Sequence, residues 1–266
     1  MNNMKVANFP APRDEPLEYP GKRPPFPYLS DGKYIYEIRF GKTFQDGKVY
    51  YKGCWEGFDE ILKDLTGAKL KDRHPMLAYG SNSCPGQLSN KFKNRCSVVV
   101  PVIKGYLENM DTVYGCSILY GSIPAVLVKS PGTKVECWMT FLDYEQYEIM
   151  NETEQVGEDY YVMEFGNFFT DFGQNIKSRG YWGLMKRYIG QDGDLVALKE
   201  IIAKKRKFSE KSQFEIHHSI MNRENMKRFL LPFNIKNVPD FVARLKNDEI
   251  FRDDVNKILR ENYCSI

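Results

Sequence analysis

Residues 75–84 read Pro-Met-Leu-Ala-Tyr-Gly-Ser-Asn-Ser-Cys, and their order bears most directly on the fold. An apolar, strand-like start at Met76, Leu77 and Ala78 runs into Tyr79-Gly80-Ser81-Asn82, and Pro85-Gly86 follow at once. A strand that ends in such a turn and restarts as a helix points backbone N–H groups, a serine hydroxyl and an asparagine amide into one small space. The helix N-terminus adds partial positive charge and glycine admits close approach, so the turn suits a carboxylate or phosphate. The same pattern also serves as a plain connection between two elements.

Working outward, the spacing predicts a helix from about Ser83, with Ser83 as cap and Pro85 in the first turn, running through Leu88, Phe92 and Arg95. SVVVPVIKGYL (97–107), TVYGCSILYG (112–121), PAVLVK (124–129) and VECWMTFL (135–142) then read as strands separated by Gly, Pro and Asn. Val135, Cys137, Met139 and Phe141 alternate onto one face, and Pro101 is expected at an edge or bulge. A second helix is predicted from Asp143, where Gln146 makes an approximate capping box, with Tyr144, Tyr147 and Met150 on its buried side. Glu152, Glu154, Glu158 and Asp159 crowd together just past it. Neighbouring carboxylates disfavour one another's ionisation, which suits one of them to act as a general base; a solvated acidic loop has the same composition.

Before this block, residues 1–30 carry Pro10, Pro12, Pro16, Pro20, Pro24, Pro25 and Pro27, so they read as an extended arm. Its aromatic residues Phe9, Tyr19, Phe26 and Tyr28 place it on a folded surface. In 31–73, YIYEIRF and KVYYKGC flank Asp46-Gly47 as a hairpin, and FDEILKDL has helical spacing. FGKT (40–43) is not a nucleotide loop, because that motif needs glycine where Tyr36 stands. Residues 74–190 form the central domain. Residues 191–266 read as a helical extension, with helices over 194–206, 209–230 and 239–262 and a break at LPFNIKNVP.

Composition narrows the classes. The 266 residues are 42% hydrophobic and 27% charged, which is globular. No apolar run approaches the ~18 residues a membrane span needs, and MNNMKVANFP does not resemble a signal peptide, so a cytoplasmic protein is expected. The six cysteines form no C-x-x-C pair, so reduced thiols are expected and no zinc site or disulfide framework is signalled. Residues 74–165 hold 6 basic and 11 acidic side chains, and 166–266 hold 19 and 13. The run Lys204-Lys205-Arg206-Lys207 lacks interleaved aromatics and reads as a solvated helix face, which argues against a nucleic-acid partner. Nothing here specifies an oligomeric state.

The turn and the acidic segment, taken together, resemble the gamma-glutamylcyclotransferase-like family. The corresponding pieces are LAYGSN (77–82), VECWMTFL, IMNETEQV (149–156) and Tyr161. The resemblance implies an α+β fold centred on a small mixed β-barrel. It implies a substrate-binding loop of Tyr79, Gly80, Ser81, Asn82 and Ser83, a catalytic Glu154, and substrate-side tyrosines at Tyr161 and, more loosely, Tyr188. Ser83 stands where the family has an aliphatic residue, and Gln155 and Cys137 stand where it has glycine.

The implied reaction releases 5-oxoproline from a gamma-glutamyl amide by attack of the substrate's own α-amino group on its side-chain carbonyl. It needs orientation and proton transfer, with no cofactor and no metal. A binding module of the same fold for a small carboxylate or peptide end is the alternative. Glu154 discriminates: buried beside the loop with a free carboxylate it favours an enzyme, and locked in a salt bridge it favours binding. Amide transfer or hydrolysis at the same site is a third option. Cys84 with His74 as base is a further alternative, whereas Ser81 lacks the G-x-S-x-G setting and His217 and His218 point apart.

Overall fold

The computed structural model describes residues 4–158 and 160–265, so Asp159 of the acidic cluster lies outside the described residues. The chain begins with β1 (Met4–Lys5), β2 (Tyr28–Ser30), β3 (Tyr34–Arg39), β4 (Lys48–Tyr51), β5 (Cys54–Gly57) and α1 (Phe58–Thr66). The expected hairpin is β3 and β4; Lys52 and Gly53, both at positive φ, break KVYYKGC and turn its end back as β5. The arm is packed: Phe9, Tyr19 and Tyr28 are buried, and β2 pairs with β3 on one side.

The centre comprises β6 (His74–Ala78), α2 (Pro85–Phe92), β7 (Val100–Tyr114), β8 (Ala125–Leu142), α3 (Tyr144–Thr153), β9 (Tyr160–Thr170) and β10 (Asn175–Gly183). β6 runs antiparallel to β8 and parallel to β10; β10 pairs with β9, β9 with β7, and β7 with β8, all antiparallel. Five strands therefore close on themselves, and the protein is α+β around a mixed five-stranded barrel. The parallel seam is a single register, Leu77 opposite Gly180. A Cβ on Gly180 would come 2.8 Å from the Leu77 Cβ, so the seam closes only over glycine.

Side-chain alternation splits the barrel into two cores. Leu77, Ile103, Val135, Cys137, Met139 and Phe141 pack in one cluster, so the expected alternation of β8 holds. Met76, Val102, Trp138 and Leu142 face the other way, against Leu88 and Phe92 of α2 and Ile149 and Met150 of α3. The four expected strand runs fuse into two long strands, β7 and β8, paired from Tyr114–Ala125 to Val102–Thr140 with one shift beyond Glu108. Pro101 is not on an edge strand: β7 has neighbours on both sides, and the proline is tolerated because its ladder with β8 begins only at Val102. Tyr144 is exposed rather than buried, since Gln146, Ile149 and Met150 form the inner face of α3.

The last quarter is β11 (Val196–Leu198), β12 (Ala203–Lys204), β13 (Ser209–Lys211), α4 (Gln213–Met221), α5 (Glu224–Leu230), α6 (Val238–Asn247) and α7 (Glu249–Asn262). The helix expected over 194–206 is absent; this stretch extends the sheet, with β11 on β7 and β12 on β8. The cause is Arg206, 8% exposed, whose guanidinium meets the fully buried Asp111 carboxylate at 3.0 Å. It also donates to the carbonyls of Leu198 (3.0 Å) and Ile201 (2.7 Å), which fold the segment around it. The basic run is thus no solvated helix face. α4 and α7 dock through buried amides: Gln213 bonds both N–H and C=O of Ile123, and Asn256 those of Ile118. Cys116 and Cys264 form a disulfide rather than two reduced thiols. Among the described residues no helix is long and apolar enough to cross a membrane.

Two stability outcomes follow. Asp111→Asn leaves the buried Arg206 charge with only the half-exposed Glu210 carboxylate (2.8 Å) to balance it, and should cost about 2 kcal/mol or more in urea unfolding. His217 of α4 is fully buried against Phe241, and burial pushes its pKa down from 6.5 to about 4. The unfolded chain then binds the extra proton between those values, so this contribution is complete above about pH 6.5 and is lost as pH falls towards 4. Urea midpoints at pH 7 and pH 4.5 should show wild type losing about 2 to 3 kcal/mol more than His217→Leu.

Candidate functional site

The turn after β6 opens onto a cleft of about 520 Å³. Its floor is the strand end and loop Tyr79–Asn82; α2 contributes Lys91, the end of α3 contributes Glu152 and Glu154, β9 and β10 contribute Tyr160 and Tyr181, and the arm contributes Arg13 and Tyr19. The loop itself is a single 3-10 turn, Ser81–Ser83, leading into α2 with Pro85 at its first position.

α3 is placed by its start. Asp143 and Gln146 form the expected capping box. Arg73, buried just before β6, donates to Gln146 Oε1 (3.2 Å) and to the carbonyls of Val99 and Phe141 (3.3 and 3.1 Å), pinning the helix to the barrel. Its far end then delivers Glu154 to the loop: Asn82 Nδ2 donates to Glu154 Oε1 at 3.2 Å across 72 residues of sequence. Gln155 follows at φ 49°, in the left-handed region that favours glycine.

Glu154 is not free. Lys91 Nζ forms an ion pair with its Oε1 and also donates to Met150 Sδ at 3.3 Å; the two charged side chains are 9% and 15% exposed. Glu152 pairs with Arg95 nearer the surface. Glu152 and Glu154 therefore each face a cation rather than one another. Three phenols stand around Glu154. Burial, reinforced by the Glu154 charge, pushes the pKa of Tyr19 up to about 12 and raises those of Tyr79 and Tyr181 well above the usual phenol value. All three stay neutral donors. Tyr79 donates to the Tyr181 carbonyl (2.7 Å) and Tyr181 to Asn151 Oδ1 (2.9 Å).

The remaining expected residues lie elsewhere. Ser83 is fully buried and turned away from the cleft; it does not cap α2, and its hydroxyl donates to the Gly80 carbonyl (3.1 Å) and accepts from Arg23 of the arm, while Tyr28 donates to its backbone carbonyl. Tyr161 is 53% exposed, because neighbours on a strand face opposite ways and Tyr160 takes the inward side. Tyr188 follows β10 and is buried beside Arg223. Cys84 is buried against the carbonyls of Phe9 and Pro10 with its pKa raised by burial, while His74 stacks on Tyr147. Among the described residues no three His, Cys, Asp or Glu side chains gather to hold a metal ion. Sequence reasoning missed Lys91, Tyr19, Tyr160 and Tyr181; only Tyr19 had a signal, an aromatic residue in a proline-rich arm.

Solved structures similar to this chain include the following two. One is an uncharacterized protein from Homo sapiens, 15% identical, covering 65% of this chain and 99% of its own, with a TM-score of 0.35. The other is a gamma-glutamyl cyclotransferase, 17% identical, covering 69% and 99%, also at 0.35. No protein-family model and no curated protein matches the sequence. These values assign the chain to no family.

A double-mutant cycle measures the pair at the centre of the cleft. Lys91→Met leaves a desolvated carboxylate held by Asn82 alone and should cost about 2 kcal/mol, much of it recovered when Glu154→Gln is added. Unfolding free energies that simply add would show the two groups to be uncoupled.

Proposed function

We propose that the cleft binds a gamma-glutamyl amide and releases 5-oxoproline from it, with Glu154 as the base. One observation carries this reading: Asn82 of the Tyr79–Asn82 loop and Glu154 are hydrogen-bonded in a single cleft, although they stand 72 residues apart in the sequence. The reaction class comes from the motif resemblance; the cleft supplies groups suited to it.

The ligand's α-ammonium displaces Lys91 from Glu154, and Lys91 turns to the ligand's α-carboxylate, so the cleft's charge balance is kept. Glu154 takes a proton from the ammonium, and the freed amine attacks the side-chain carbonyl carbon. The attacking nitrogen's second proton passes to the departing nitrogen as the amide C–N bond breaks, Glu154 returns its proton there too, and the amine leaves as an ammonium. The attack is intramolecular, so fixing one rotamer of the ligand supplies much of the rate, and the backbone N–H groups of the Tyr79–Asn82 loop offer neutral donors to the developing oxyanion.

The Lys91–Glu154 pair favours a second reading, because a carboxylate already matched to a cation suits recognition of a zwitterion without turnover. A panel of gamma-glutamyl amino acids and amines, assayed for 5-oxoproline, separates the two. The catalytic reading expects release from at least one substrate, cut by about 10²-fold or more in Glu154→Gln. That comparison is repeated in the Lys91→Met background, where no unpaired ammonium remains. Wild type that binds 5-oxoproline yet makes none from any substrate leaves the binding module.

A further inference from the structure

Glycine at position 80 was read as leaving room for a ligand. The room is taken by the arm: a Cβ there would come 2.6 Å from the hydroxyl of Tyr19. This phenol is 7% exposed and lines the cleft together with Asn82 and Glu154. The backbone N–H of Ala125 donates to its oxygen at 3.0 Å, and the Ser81 amide also faces that oxygen.

Each phenol of the cleft has one proton to give. Those of Tyr79 and Tyr181 are taken by the Tyr181 carbonyl and Asn151. The Tyr19 oxygen receives an amide proton, and among the described residues its own O–H has no acceptor. A buried hydroxyl without an acceptor, beside an open polar cleft, is the group a ligand oxygen is placed to satisfy. An amide-anchored phenol is also fixed in direction, so little ordering remains to be done on binding.

We propose that Tyr19 is a ligand-binding residue: its hydroxyl donates a hydrogen bond to the carboxylate of the bound ligand, making the proline-rich arm one wall of the site. The inference rests on the ligand class proposed above and deepens it. The N–H groups of the loop then act on the ligand through this phenol as well as directly. Neighbouring contacts hold the phenol in place. Gly86 N–H donates to the Phe9 carbonyl (3.1 Å), Ser122 Oγ to the Pro16 carbonyl (3.1 Å), and Tyr28 to the Ser83 carbonyl (2.6 Å).

The test is binding of 5-oxoproline and of glutamate, measured by titration calorimetry on the full chain. Tyr19→Phe keeps the ring and removes only the donor; Tyr36→Phe, which loses a phenol bonded to Asp31 on β3, controls for general effects. The expected result is affinity at least about tenfold weaker in Tyr19→Phe and unchanged in Tyr36→Phe. Equal affinity in wild type and Tyr19→Phe overturns the inference and leaves the cyclotransferase reading standing. Binding that weakens in Tyr19→Phe, in a protein that releases no 5-oxoproline, supports the inference and ends that reading. Wild type that binds neither compound overturns the inference through its ligand.

Discussion

The site depends on how the barrel is closed. β6 is short and meets β10 in parallel at one register, Leu77 opposite Gly180, before the chain turns away at Gly80. Absence of a side chain at Gly180 brings the two backbones close enough for Tyr79 Oη to reach the Tyr181 carbonyl at 2.7 Å, so the loop is anchored to β10 one residue beyond the seam. β9 is held to β10 along its length and carries Tyr160 to the same rim. An error in the seam would displace loop, tyrosines and Glu154 together, because α3 runs directly from β8 into β9.

Electrostatics decides what such a cleft can hold. Two charged groups, Lys91 and Glu154, lie within it at low exposure, and each keeps the other's desolvation tolerable. A ligand that displaces either partner must therefore offer both signs, or the other is left buried and unpaired. A zwitterionic amino-acid head meets that condition, whereas an anion such as 5-oxoproline binds beside the intact pair. The surrounding phenols add no charge, since burial and the nearby carboxylate both oppose their ionisation.

Much of this was legible because the signals were local. The Asp143–Gln146 box, the β3–β4 hairpin and the alternation along β8 are set by residues close in sequence. The loop was readable from turn chemistry and the acidic segment from charge crowding, the family resemblance picked Glu154 within it, and the barrel brought loop and carboxylate together. What was not legible depends on distant partners. Nothing near Arg206 announces Asp111, so its helix propensity looked decisive until a buried pair overrode it. Tyr160 and Tyr161 are equivalent in sequence, and only the register of β9 chooses between them. Cys116 and Cys264 are 148 residues apart, beyond any spacing rule.

The extensions take their meaning from the same geometry. Residues 116–125 form the side of the cleft facing the arm, and they contain no ladder of their own strong enough to hold them. They are held from outside: Gln213 and Asn256 supply to Ile123 and Ile118 the donor and acceptor a neighbouring strand would supply, and the disulfide ties Cys116 to the chain's end. Ala125, at the end of this stretch, provides the N–H that fixes Tyr19. The C-terminal helices touch no part of the proposed chemistry, yet they hold the segment that orients the arm's phenol. The arm, the barrel and the helical region thus work as one structural unit around the cleft, and the extensions shape its ligand through the wall they hold in place.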